Sequence, residues 1–119
     1  MERVLLCDDA VAYGTLFAQW MRDGEVAEVT QARTAAEALE LLPALRPTLI
    51  VLDHLLPDGT SKELLPRLRE VAPEARVLLI SGLPDDKLAE AAAASGADGH
   101  LGKWAGTQEM RDTVRGLMA

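Results

Sequence analysis

Five polar side chains stand directly after short apolar segments of the sequence, and together they have the chemistry needed for phosphoryl transfer. Asp8 and Asp9 follow the first of these segments, Asp53 follows the third, Ser81 the fourth and Lys103 the fifth. Three carboxylates in one cleft repel one another, and a hard divalent cation such as Mg²⁺ removes that repulsion because it prefers oxygen ligands. An ammonium and a hydroxyl can hold phosphoryl oxygens, and a carboxylate can act as the nucleophile that carries the phosphoryl group.

Each of these residues also has an ordinary structural explanation when it is taken alone. Asp8 and Asp9 suit the N-terminal cap of a helix, and Asp53 suits a turn after a buried strand. Ser81 precedes a glycine, which is typical of a loop, and Lys103 suits a solvated surface. Only their joint occurrence at the ends of four segments predicts a shared site.

The apolar segments alternate along the chain with segments of helical periodicity. Strands are predicted at residues 4–7, 26–30, 49–52, 77–80 and 100–102, and the second has the alternating pattern of an edge strand. Helices are predicted at residues 11–21, 34–45, 61–71, 83–95 and 107–118, with a capping box at Thr34 and Glu37 and a glycine cap at Gly96. Five strand–helix repeats predict a parallel sheet with helices on both faces, which binds ligands at the carboxyl ends of its strands.

Composition narrows the possible classes of function. A chain of 119 residues is expected to form about one domain, with a core that needs neither disulfides nor metal. Its net charge of -7 opposes direct contact with nucleic acid or anionic membranes, and leaves cations and basic protein surfaces as partners. Cys7 is the single cysteine, so neither a disulfide framework nor a cysteine zinc site is expected. The chain start lacks a signal-peptide pattern and no apolar run is long enough to span a bilayer, so we expect a cytoplasmic location.

In the order of its motifs, the sequence resembles the CheY-like receiver domain of bacterial two-component response regulators. The matching segments are residues 4–9, 49–53, 56–59, 79–82 and 96–103, and the resemblance extends from Arg3 to Met118. No single segment is specific, whereas the ordered set is. The resemblance implies that residues 1–119 form one receiver domain of α/β class. This fold is a (βα)5 flavodoxin-like three-layer sandwich whose five-stranded parallel sheet has the order 2-1-3-4-5.

The resemblance also assigns the chemistry to particular residues. It implies that Asp53 is the phospho-acceptor, which takes a phosphoryl group from a histidine kinase or a phosphotransfer protein. Asp8 and Asp9, with Asp53 and the backbone carbonyl of Leu55, are then the ligands of Mg²⁺. Such a domain is not an enzyme, because its only reactions are phosphorylation and dephosphorylation of its own aspartate.

The same resemblance implies how phosphorylation changes the binding of a partner. Ser81 and Lys103 are implied to bind the phosphoryl group, and Ser81 and His100 are implied to be switch residues. The output is a change in the face made by the fourth helix, the fifth strand and the fifth helix, which alters binding of a downstream protein. We expect a monomer or a weak dimer.

Several positions depart from the family pattern. Trp104 stands where the family usually has proline, and a cis bond before a non-proline residue costs about 2.5–4 kcal/mol, so we expect a trans bond or strain. His100 stands where a phenylalanine or tyrosine usually acts as the switch, which leaves open a pH-sensitive switch or a simple polar replacement. The resemblance also implies that the residues at positions 55 and 83 influence attack of water on the acyl phosphate. Leu55 and Leu83 have no polar group to orient water, which predicts a long-lived phosphorylated state. Strand alternation is expected to point His54 away from Asp53.

Two other functions remain compatible with the sequence. The first is a receiver-like scaffold that is never phosphorylated and binds its partner constitutively, which the unusual Trp104 and His100 motivate. The second is a small Mg²⁺-dependent phosphatase, although so short a chain leaves little room for a substrate pocket. A flavin-binding protein is disfavoured because the acidic Asp8–Asp9 loop would repel the flavin phosphate.

Overall fold

Five parallel strands form the central sheet of the molecule. A computed structural model describes residues 1–119. The strands of the sheet are β1 (Glu2–Cys7), β2 (Ala27–Ala32), β3 (Leu49–Asp53), β6 (Arg76–Ser81) and β7 (Gly99–Gly102). These strands lie in the order β2-β1-β3-β6-β7. When the two short strands between β3 and β6 are left out of the numbering, this is the predicted order 2-1-3-4-5, with the alternating second strand at an edge.

Five helices cover the two faces of this sheet and complete a three-layer sandwich. They are α1 (Val11–Asp23), α2 (Ala35–Leu45), α3 (Ser61–Val71), α4 (Asp85–Ser95) and α5 (Thr107–Met118). Helices α1 and α5 share one core with one set of strand side chains, while α2, α3 and α4 share a second core with the alternate set. None of the five helices is long and apolar enough to cross a membrane.

The three continuous apolar segments form the most deeply buried strands. All side chains from Val4 to Cys7, from Leu49 to Leu52 and from Val77 to Ile80 have no exposed surface. Strands of a parallel sheet are covered on both faces, so they require apolar residues at every position rather than at alternate ones. The five predicted strands of the central sheet and the five predicted helices are therefore confirmed in type and order.

The fourth helix begins two residues later than its predicted start. It was expected from Leu83, but α4 begins at Asp85 with Pro84 as its N-cap. The residue before a proline is disfavoured in helical conformation, because the proline ring clashes with its backbone and Cβ, and this excludes Leu83 from the helix. The predicted end is correct, since Gly96 adopts a left-handed conformation with φ of 79° and closes the helix.

A short antiparallel hairpin, absent from the sequence prediction, follows β3. Its strands are β4 (Leu55–Leu56) and β5 (Gly59–Thr60), and Asp58 lies in the turn between them. The Asp58 carboxylate accepts hydrogen bonds from the backbone N–H groups of Ala35 and Ala36, at 2.8 and 3.1 Å. These bonds hold the pKa of Asp58 below its usual range, and they tie the hairpin to the beginning of α2.

Candidate functional site

The five predicted site residues meet at one edge of the sheet. Asp8 follows β1, Asp53 ends β3, Ser81 ends β6 and Lys103 follows β7. In the strand register, Asp53 pairs with Ile80 and Ser81 pairs with Gly102. The carboxyl ends of β1, β3, β6 and β7 therefore stand side by side, which is where an open α/β sheet binds ligands.

Three carboxylates form a compact group at this edge, which we call the acidic cluster: Asp8, Asp9 and Asp53. One oxygen from each lies within 4.8 Å of the other two. The Asp8 side chain is fully buried, that of Asp53 is 13% exposed, and Asp9 faces solvent. Oδ1 of Asp8 accepts a hydrogen bond from the backbone N–H of Ala10 at 2.9 Å, which fixes the orientation of that carboxylate. The exposure of the three carboxylates thus ranges from fully buried, at Asp8, to solvent-facing, at Asp9.

Lys103 supplies the positive charge next to the acidic cluster. Its Nζ lies 2.7 Å from Oδ2 of Asp8 and donates to Oδ2 of Asp53 at 3.1 Å. The Lys103–Trp104 peptide bond is trans, as one of the two expectations from the sequence had it, and the ammonium reaches both carboxylates. Burial alone would lower the pKa of Lys103, but its contacts with Asp8 and Asp53 outweigh burial and raise that pKa.

Burial makes the Asp53 carboxyl easier to protonate than a free aspartate. Its pKa is raised chiefly because it is desolvated and also because Asp8 is near, although Lys103 and the backbone N–H of Leu55 oppose the shift. An elevated pKa means that the folded protein penalises the charge on this carboxylate. A cation bound at the cluster would remove that penalty.

The donor set of the acidic cluster fits a hard divalent cation. Three carboxylates face one ammonium, which leaves an excess of negative charge in a partly buried site. Oδ2 of Asp8 has no exposed surface and accepts no hydrogen bond of favourable geometry, although Lys103 approaches it. A buried carboxylate oxygen with free lone pairs and two neighbouring carboxylates matches the oxygen coordination that Mg²⁺ prefers.

Ser81 lies at the edge of the site and joins two loops. It is 6% exposed, and its hydroxyl oxygen accepts a hydrogen bond from the backbone N–H of Leu83 at 3.1 Å. Its carbonyl accepts a hydrogen bond from the backbone N–H of Lys103 at 2.9 Å. The loop before α4 and the loop before α5 are therefore linked directly beneath the predicted phosphoryl-binding groups.

The two residues after Asp53 have different surroundings. Nδ1 of His54 lies 2.7 Å from Oγ of the buried Ser61 at the beginning of α3. The His54 side chain thus contacts Ser61 and makes no hydrogen bond to Asp53. Leu55 lies beside the site with its side chain 60% exposed.

His100 and Trp104 do not join the acidic cluster. His100 is an exposed residue within β7, on the surface between α4 and α5. Trp104 is 83% exposed, and its indole Nε1–H donates a hydrogen bond to the carbonyl oxygen of Gly82, with an N–O distance of 3.4 Å. The indole therefore contacts the loop that begins at Ser81.

Two residues that no sequence motif includes support the loop from Asp8 to Ala10. Nε2 of Gln31, at the end of the edge strand β2, donates to the carbonyl oxygens of Asp8 and Ala10 at 2.8 and 3.2 Å. Gly14 in α1 makes this possible, because a Cβ at that position would overlap the Gln31 amide. Neither residue type suggests a site by itself, and only the packing of β2 against α1 brings them together.

This contact reverses the usual effect of replacing a helical glycine. Gly14→Ala should lower the free energy of unfolding by about 1 kcal/mol. Alanine gains about 0.5–1 kcal/mol in helix propensity, but displacing Gln31 costs two hydrogen bonds of about 1 kcal/mol each. Gly116→Ala is the matched control, because a Cβ on Gly116 in α5 would meet nothing within 4 Å, so that variant should be slightly stabilised. Urea unfolding of both variants measures the difference, and a stabilised Gly14→Ala would contradict the argument.

Comparison with known proteins identifies the family that this fold and site define. The model of the response regulator receiver domain matches residues 4–115, and the chain belongs to that family. Receiver domains are generally signalling domains rather than enzymes.

Individual relatives agree with this assignment. The chain is 33% identical over 120 residues to the DNA-binding transcriptional activator DevR/DosR of Mycobacterium tuberculosis, an alignment that covers 100% of this chain and 55% of that protein. It is 25% identical over 114 residues to the sporulation initiation phosphotransferase F of Bacillus subtilis, covering 96% of this chain and 91% of that one. The chain thus spans only slightly more than half the length of several curated relatives.

A solved structure shows the same fold. The CheY-like receiver domain protein of Methanospirillum hungatei superposes with a TM-score of 0.86, at 24% identity over 99% of this chain and 94% of that one. This likeness confirms the flavodoxin-like receiver architecture predicted from the sequence.

Proposed function

We propose that residues 1–119 form a phospho-accepting receiver domain in two-component signal transduction. Asp53 takes a phosphoryl group from a histidine kinase or a phosphotransfer protein, and the phosphorylated domain binds a downstream protein differently. The observation that carries this proposal is the position of Asp53, which lies beside a buried carboxylate and accepts a hydrogen bond from an ammonium at 3.1 Å. This geometry supports the proposal because it would bring a nucleophile, a cation site and a positive charge within reach of one phosphoryl group.

The transfer step follows from the roles of these side chains. An ionised carboxylate oxygen of Asp53 attacks the phosphorus of a phosphohistidine, so that a P–O bond forms while the P–N bond breaks. The bonding electron pair leaves with the imidazole nitrogen, which takes up a proton. Lys103 neutralises a phosphoryl oxygen, and the hydroxyl of Ser81 has its hydrogen free to donate to another.

The acidic cluster is the proposed Mg²⁺ site. Asp8, Asp9 and Asp53 would supply carboxylate oxygens, and the backbone carbonyl of Leu55 would supply a further ligand. Bound Mg²⁺ would supply charge neutralisation between these carboxylates and the incoming phosphoryl oxygens. Without that neutralisation, an anionic phosphodonor would meet an excess of negative charge.

The output surface is proposed to be the face of α4, β7 and α5. Ser81 and Lys103 stand at the loops that lead into α4 and α5, so a phosphoryl group bound by both would shift these loops together. His100 lies exposed on this face and is proposed as a second switch residue. We expect the partner to be a protein, contacted in the cytoplasm by a monomer or weak dimer, with no direct contact to nucleic acid or membrane.

Intact-mass measurement tests the proposed function directly. The protein is incubated with Mg²⁺ and a small phosphodonor such as phosphoramidate, with a chelator-treated sample as the control. We expect one added phosphoryl group that depends on Mg²⁺ and is removed by hydroxylamine, which cleaves acyl phosphates. No added mass, together with no binding of beryllofluoride, would instead support a constitutive interaction scaffold.

The lifetime of the phosphorylated state should depend on the residue at position 55. Leu55 and Leu83 flank the site with apolar side chains, so neither can orient a water molecule for attack on the acyl phosphate. Leu55→Asn should therefore accelerate dephosphorylation about fivefold, the equivalent of one hydrogen bond of about 1 kcal/mol to that water. Leu55→Met serves as the apolar control and should keep the slow rate. Decay of the phosphorylated mass after removal of the donor provides the measurement, and equal rates for the two variants would refute the explanation.

A further inference from the structure

Tyr13 lies against the site, although no sequence motif includes it. The Nζ atom of Lys103 is 4.9 Å from the centroid of the Tyr13 ring. The same ammonium is 2.7 Å from Asp8 and 3.1 Å from Asp53. The Lys103 ammonium is thus enclosed by two carboxylates and one aromatic ring, at a distance where the ring attracts a cation.

The Tyr13 ring is held in place by its own helix. Phe17 and Trp20 follow at one and two helical turns, and their ring centroids lie 6.2 and 6.0 Å from that of Tyr13. The contact with Trp20 is edge-to-face, and Phe17 is fully buried in the core shared by α1 and α5. A ring fixed in this way can restrict a lysine side chain, which otherwise has many rotamers to lose.

The chain that follows Lys103 does not supply this restraint. The Lys103–Trp104 bond is trans, and the indole of Trp104 is mostly in solvent, where it contacts Gly82. The Lys103 side chain is only 18% exposed. The contacts that hold it in position therefore come from the packed elements around it. Among these, α1 contributes the Tyr13 ring.

The hydroxyl of Tyr13 is not what makes the contact. It is buried without a hydrogen-bond partner. Burial, with Asp8 and Asp53 as smaller contributions, raises the pKa of Tyr13 to about 12, so the phenol stays neutral. A buried hydroxyl without a partner is unfavourable, and phenylalanine would keep the ring without that cost.

From this arrangement we infer that Tyr13 is a positioning residue, whose ring holds the Lys103 ammonium at the point where the phosphoryl oxygens arrive. The inference rests on the proposed function and adds a residue to it. It separates the two parts of Tyr13, because the ring should matter for phosphoryl transfer and the hydroxyl should not.

Two substitutions at position 13 test this separation. Tyr13→Phe should keep the rate of Mg²⁺-dependent phosphorylation within about twofold of the original. Tyr13→Leu should reduce that rate about tenfold, which corresponds to about 1.4 kcal/mol, without weakening Mg²⁺ binding. Leu16→Ala, at a half-exposed position on the same helix, is the control and should leave the rate unchanged.

A measurement on the Mg²⁺-free protein reports the contact itself. The ε-methylene protons of Lys103 should show ring-current shifts by NMR in the original protein and in Tyr13→Phe, and lose them in Tyr13→Leu. If Tyr13→Leu fails to fold, Tyr13→Met replaces it in both experiments.

Two outcomes overturn the inference. One is a Tyr13→Leu variant with the original rate and unchanged Lys103 shifts. The other is a Tyr13→Phe variant as slow as Tyr13→Leu, which would assign the role to the hydroxyl. If the original protein accepts no phosphoryl group, the proposed function fails, while the NMR comparison still decides whether the ring holds the ammonium.

Discussion

Asp53→Asn should abolish phosphorylation and at the same time stabilise the Mg²⁺-free protein. Asparagine has nearly the shape of aspartate and can still accept a hydrogen bond from Lys103, but it has no carboxylate to attack phosphorus. The gain in stability is expected because burial and Asp8 raise the pKa of Asp53, so the folded protein is penalised for that charge. We expect an increase of about 1 kcal/mol in the free energy of unfolding at pH 7, an ordinary size for a single substitution.

Two measurements on the same preparation check both halves of this prediction. Intact mass after incubation with Mg²⁺ and phosphodonor should show no added phosphoryl group, and urea unfolding in chelator should show the higher midpoint. Asp112→Asn is the matched control, since Asp112 is an exposed carboxylate on α5. That control should be phosphorylated normally and unfold at nearly the original midpoint. Phosphorylation of Asp53→Asn would show that another residue is the phospho-acceptor. A destabilised variant would contradict the electrostatic argument.

A gain in stability would also show that the carboxylates of the acidic cluster oppose folding in the absence of a cation. Three carboxylates within 4.8 Å of one another, with one ammonium between two of them, are unfavourable until a cation binds. Sites that carry function are often less stable than their surroundings allow. The cores on both faces of the sheet hold the strand ends in place despite this repulsion.

The parts of the fold that the sequence predicted are those encoded locally. A short run such as Val77–Ile80, bounded by turn residues, is typical of a strand covered on both faces, and a polar residue directly after such a strand lies at the carboxyl edge. The acidic cluster, Ser81 and Lys103 were therefore found from sequence position alone. Gly96 as a helix end was predictable for the same reason, because only the local backbone decides it.

The parts that the sequence did not predict depend on contacts between distant segments. Gln31 supports the Asp8 loop across 23 positions. Tyr13 meets Lys103 only because the beginning of α1 and the loop after β7 lie at the same edge of the sheet. Asp58 caps α2 from a hairpin 22 and 23 residues away. Each of these residues looks like an ordinary helix, strand or turn residue in the sequence, so periodicity and motif spacing give no indication of its role.

Mg²⁺ should stabilise the folded protein strongly at pH 7.5 and hardly at all near pH 4. A ligand that binds only the folded state at about 100 times its Kd adds about 2.7 kcal/mol, which for a domain of this size raises Tm by roughly 10 °C. The increase should depend on pH because protons and Mg²⁺ compete for the same carboxylate of Asp53. Thermal unfolding with and without Mg²⁺ across this range measures it.

The sign of the effect follows from the two pKa shifts at the site. The pKa of Asp53 is raised in the folded state, so its stabilising contribution is present below its unfolded pKa and is lost as pH rises through the folded value. The pKa of Lys103 is also raised, so its contribution persists below its unfolded pKa and is lost only in the alkaline range. The repulsion that Mg²⁺ can relieve therefore increases as pH rises through the folded pKa of Asp53.

A sodium salt at matched ionic strength separates specific binding from general screening, because screening acts on all exposed charges alike. Asp53→Asn provides the second comparison, since it removes one ligand together with the pH-dependent group, and its Mg²⁺ response should be smaller and flatter with pH. A Tm increase of equal size at pH 4 and 7.5, or one reproduced by sodium, would show that the acidic cluster is not the metal site. A steep loss of the Mg²⁺ effect on acidification, confined to proteins that keep Asp53, would link metal binding to the same carboxylate that is proposed to carry the phosphoryl group.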